Sequence, residues 1–193
     1  MPMCGKGDGI NDEKWMLGID KGTVANGRIT TNTGHERINQ GNITKNVWQY
    51  YALRYDGSTM KGYLDGVEIY STAKTGTLNH DSGDNMRIGR RHDGRHLKGS
   101  IDEVRVYEGA LSAEWIKTKY NNQNDPSSFY ALSTETATGA SAGGGNQTPS
   151  TDSTFLDGYC KRVGLTINSS EINGSSHTDF PVLVSLTESY LKS

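Results

Sequence analysis

Between Arg87 and Lys98 the chain concentrates its cationic chemistry: Arg87, Arg90, Arg91, Arg95 and Lys98, with His92 and His96 among them and only Asp84 and Asp93 diluting the charge. Guanidinium and ammonium groups recognise anions, the first through paired N–H donors and the second as a point charge. His92 and His96 are four residues apart, a spacing that on a helix would aim both imidazoles at one metal. Gly89, Gly94 and Gly99 argue against a helix, and no third ligand accompanies the pair, so the histidines read as a loop pair. The patch has two readings. It is a contact surface for a polysaccharide or glycoconjugate, with an acidic one favoured by its charge, or it is a solvated loop with scattered ion pairs. Arg90, Arg91, His92 and Arg95 are its candidate ligand-binding residues.

A second candidate lies just beyond. Ser100–Tyr107 (SIDEVRVY) reads as a strand, and alternation places Asp102 on the same face as Val104 and Val106. An ionised carboxylate there must be paired or bound to metal. Asp102 and Glu103 are adjacent and point to opposite faces, so they form no catalytic pair. The acidic run Asp8–Glu13 lacks the glycine and glutamate positions of a calcium-binding EF-hand loop and reads as a solvated loop. No nucleophile–base pair, phosphate-binding loop or dinucleotide fingerprint is present in the sequence. Tyr50, Tyr51, Tyr55, Tyr63, Tyr70, Tyr107, Trp15 and Trp48 have faces on which a sugar could stack, but cross-strand packing explains most of them. Trp48, inside an apolar run, reads as core.

These residues sit among short strands. Trp15–Ile19 is one, closed by Asp20-Lys21-Gly22; Val47–Leu53 is another, apolar enough to be buried on both faces and stopped by Asp56-Gly57. Gly62–Tyr70 carries the clearest local signal, two β-prone runs around Asp65-Gly66, which predicts a type I′ hairpin. Met86–Gly89 adds a further strand. Ser112 is a good helix N-cap, with Leu111 placed to pack on Ile116, Glu114 in the first turn, and Lys117 and Lys119 suited to the end of a helix of about two turns. Ser133–Thr154 has no large apolar side chain and reads as a flexible linker; β pattern resumes at Val163–Ile167 and Phe180–Leu186.

Composition agrees with a turn-rich β protein: 24 of 193 residues are glycine and 10 are tyrosine. A net charge of −2 offers no global attraction to nucleic acid, and no apolar run reaches the length of a membrane-spanning helix, so neither nucleic-acid binding nor membrane insertion is expected. Cys4 and Cys160 lack CxxC partners, and the low-complexity stretch between their segments disfavours a disulfide.

The series Trp48 … Ala52-Leu53-Arg54-Tyr55-Asp56-Gly57 … Tyr63-Leu64-Asp65-Gly66-Val67 … Ile88-Gly89 … Gly99–Tyr107 … Ala110–Ile116 … Tyr120 resembles, in order and spacing, the laminin-G-like, concanavalin A-like jelly roll. The likeness extends loosely to about Lys6 and Tyr130 and covers the later part of that fold. It implies an all-β jelly-roll β-sandwich lacking its N-terminal strands over 1–132, with one short helix, a linker over 133–154 and a truncated second β domain over 155–193. That last segment, from Tyr159-Cys160-Lys161-Arg162 to Phe180–Leu186, is similar to the start of a bacterial domain of unknown function that accompanies such jelly rolls.

The resemblance further implies a structural Ca²⁺ with Asp102 as a ligand, and a piece of a long secreted or cell-surface protein. The N-terminus shows no signal peptide, which truncation would explain. Sandwich glucanases set their acids as E-x-D-x-x-E along one strand; here Ser100, Asp102 and Arg105 occupy those places, so two of three acids are lacking. The expected function is therefore a non-catalytic carbohydrate-binding or adhesion module. A structural spacer or protein-interaction module is the alternative, and a glycoside hydrolase the least favoured.

Overall fold

The computed structural model describes residues 2–7, 13–20, 22–79, 83–133, 136–137, 161–162, 164–174, 177 and 180–184. The chain divides into two units, Met1–Tyr120 with Asn173–His177, and Asn121–Ile172 with Thr178–Ser193.

In the first unit, five antiparallel strands form one sheet in the order β4-β3-β2-β1-β8: β1 (Pro2–Lys6), β2 (Trp15–Asp20), β3 (Val24–Thr31), β4 (Gly34–Asn42) and β8 (Met86–Ile88). A second sheet has the order β5-β6-β7, from Tyr51–Tyr55, Thr59–Leu64 and Val67–Ala73. The sheets pack face to face around Ile29, Ile38 and Met60, with Trp15, Leu53 and Tyr55 partly buried against them. The faces come close because β6 carries Gly62 where a side chain would collide: a Cβ there would lie 2.8 Å from Gln40 Cγ and 2.9 Å from Ile38 Cδ1. Gln40 is itself wholly buried and donates from Nε2 to the Ala52 carbonyl at 3.1 Å, tying β4 across the sandwich to β5.

The Asp65-Gly66 hairpin forms as its sequence predicts. Both residues have positive φ, 51° and 76°, the backbone a type I′ turn requires. Asp65 Oδ1 also accepts the Tyr50 N–H at 2.9 Å, so the turn holds the start of β5.

Trp48 departs from expectation. It is 70% exposed, and Val47 59%. The chain turns at residues 45–47, with Asn46 at φ 60°, and the ladder begins only at Tyr51, so the first part of the apolar run lies outside the sheet. Ser100–Tyr107 also joins no sheet: residues 101–107 carry no ladder among the described residues, and Glu103 adopts φ 53°, which breaks strand alternation.

The helix is longer than two turns. α1 (Ala113–Asn124) starts as predicted, with Ser112 Oγ accepting the Trp115 N–H at 3.1 Å and Ile116 buried. Its polar continuation YNNQN shows no apolar pattern, which hides it from sequence reading, and Lys119 is buried in mid-helix rather than near a helix end.

In the second unit, α2 (Pro126–Phe129) leads into β9 (Tyr130–Leu132), which pairs with β12 (Leu165–Ile167); β10 (Thr136–Ala137) pairs with β11 (Lys161–Arg162). Phe129 is buried and stacks on Phe180 at 6.3 Å. Phe180–Val184 is not a strand. Asn122 of α1 instead clasps Leu183, accepting its N–H at 2.6 Å and donating to its carbonyl at 3.3 Å, as a neighbouring strand would. Most of the expected linker lies outside the described residues, as does Cys160.

Two measurements check this account. Gly62→Ala is expected to cost about 1–3 kcal/mol in urea unfolding, because the added methyl meets Gln40 and Ile38 across a packed interface. In the β5–β6 turn, the Ser58 hydroxyl and the Ser58 and Thr59 N–H groups donate to Asp56, holding its carboxyl down from 3.8 to about 2. A depressed folded-state pKa stabilises the protein above pH 3.8, and that contribution disappears as pH falls towards about 2. Asp56→Ala is expected to remove this component of the acid limb, read as melting temperature against pH.

Candidate recognition site

The basic segment predicted from sequence folds back on itself as a short hairpin-like loop. Leu97 N donates to Gly89 O at 2.7 Å, Arg91 N to Arg95 O at 2.8 Å and Gly94 N to Arg91 O at 3.2 Å, and Arg90 bridges to His96. Gly89 N donates to Met3 O at 2.7 Å, anchoring the loop beside β1.

One interaction positions the loop. Glu13, only 4% exposed, sits between two guanidiniums. Arg91 reaches its Oε1 from Nε at 2.7 Å and from Nη2 at 2.6 Å, and Arg28 of β3 reaches Oε2 at 2.9 Å. The Glu13 carbonyl accepts the Thr30 hydroxyl at 2.5 Å, fixing the backbone that carries the carboxylate. Glu13 therefore does not belong to a solvated acidic loop; the rest of that run, Asp8–Asp12, lies outside the described residues.

Around this clamp a shallow recess opens, walled by Trp15, Met16 and the Gly5–Gly7 backbone. Its charged lining is Lys6, Arg87, Arg90 and Arg91 against the single carboxylate of Glu13, with His92 beside them. Arg87 donates to the Gly7 carbonyl at 3.0 Å. Among the described residues Arg90 has no ion-pair partner, and His92 Nδ1 is buried with no hydrogen-bond partner. The loop's acid, Asp93, lies between two arginines, Arg95 Nε at 3.3 Å and Arg91 Nη1 at 3.7 Å, and accepts the Arg95 backbone N–H; desolvation pushes its carboxyl up, but these contacts together hold it below its ordinary range.

Of the four loop residues singled out by sequence, Arg90, Arg91 and His92 thus line the recess, whereas the Arg95 side chain is 64% exposed and pairs with Asp93 outside it. Sequence reading missed Lys6, Glu13 and Arg28. Nothing local marks them, because the contacts join residues 15 and 78 apart in the chain.

Asp102 stands apart. It is exposed, not on a strand face with Val104 and Val106, and its Oδ1 accepts the Glu103 N–H at 2.8 Å. Glu103 in turn pairs with Arg105. Among the described residues no three acid, histidine or cysteine side chains come together. One carboxylate supplies at most two of the six to eight oxygens that Ca²⁺ takes.

The aromatic side chains sort clearly. Tyr63 is core, and Tyr55 donates to the Gly76 carbonyl at 2.5 Å. Tyr50 packs on Tyr120 at 6.2 Å, and its burial pushes the phenol up to about 12. Tyr107 meets Trp115 edge-on at 5.2 Å.

Two stacked antiparallel sheets define a β-sandwich. The chain belongs to the concanavalin A-like lectin/glucanases superfamily, whose laminin G-type family model matches residues 5–117. That superfamily holds both glycoside hydrolases and non-catalytic lectins. Among solved structures, the chain is similar to a 2.1 Å crystal structure of residues 221–444 of an S-layer domain-containing protein from Clostridium thermocellum ATCC 27405, at 24% identity and a TM-score of 0.34. The likeness covers 58% of this chain and spans 58% of that one. No curated protein matches the chain. No described helix is long and apolar enough to cross a membrane.

The clamp makes a direct prediction. Glu13→Gln leaves Arg28 and Arg91 facing one another without the intervening charge, and breaking a buried pair this way costs about 3–5 kcal/mol. The expected result is a lower urea midpoint at unchanged denaturant slope.

Proposed function

We propose that the first unit is a non-catalytic carbohydrate-binding or adhesion module of a secreted or cell-surface protein. The observation that carries this reading is the recess itself, where Arg90, without an ion-pair partner among the described residues, stands near the Trp15 wall. Membership of a superfamily that includes lectins supports it.

The disposition of carboxylates favours binding over hydrolysis. A retaining glycosidase needs two carboxyl groups about 5–5.5 Å apart, one of them free to donate a proton. Glu13 has both carboxylate oxygens engaged by guanidiniums, which leaves neither turned towards a bound sugar. Asp102 and Glu103 are engaged with local backbone and Arg105.

A glycan array probed with the whole chain tests the reading. Binding to at least one glycan class is expected, and it should survive EDTA, since Asp102 lacks fellow ligands among the described residues. Binding lost in EDTA would restore a calcium role. An array blank for every glycan would leave the structural-spacer reading instead.

A further inference from the structure

We draw no further inference here: the strongest candidate, the exposed apolar surface patch of Val47 and Trp48 in the connection between β4 and β5, carries nothing because nothing in the structure shows what covers it.

Discussion

The carboxylate of Glu13, held between Arg28 and Arg91, is the contact on which the basic loop and its recess depend. It joins the chain entering β2, the middle of β3 and the basic loop after β8, adding a side-chain tie to strands that the ladders already hold in one sheet. A charge this buried is tolerated only because both its oxygens are met by guanidinium N–H groups. The same contact orders the loop, since an arginine committed to an acid beneath it cannot swing into solvent.

Beneath the clamp the sandwich supplies rigidity. Gly62 lets β6 approach β4 closely enough for Ile29, Ile38 and Met60 to exclude water, and Gln40 links β4 to β5 through the Ala52 carbonyl. The basic loop hangs on this frame, anchored to β1 by a Met3–Gly89 hydrogen bond.

Local signals were legible wherever a turn or cap has its own chemistry. Asp65-Gly66 announced its hairpin, Ser112 its helix start and Trp15–Ile19 all but the last residue of its strand. The β3–β4 pair was harder: VANGRITT and GHERINQGN alternate poorly, because β3 buries residues on both faces, Ile29 in the core and Asn26 and Thr30 on the other side. Trp48 and Ser100–Tyr107 looked like core and strand by composition. A strand exists only where a neighbour pairs with it, and hydrophobicity says nothing about the neighbour.

The sequence by itself determined the class of fold, through ordered strand and turn motifs, and it located a basic loop with three of the residues that line the recess. It could not distinguish Arg90 from Arg95, two arginines five residues apart with opposite fates. Nor could it promote Glu13 from a solvated acid to a buried clamp. Those decisions belong to tertiary structure, because they turn on which charges meet across 78 residues of chain.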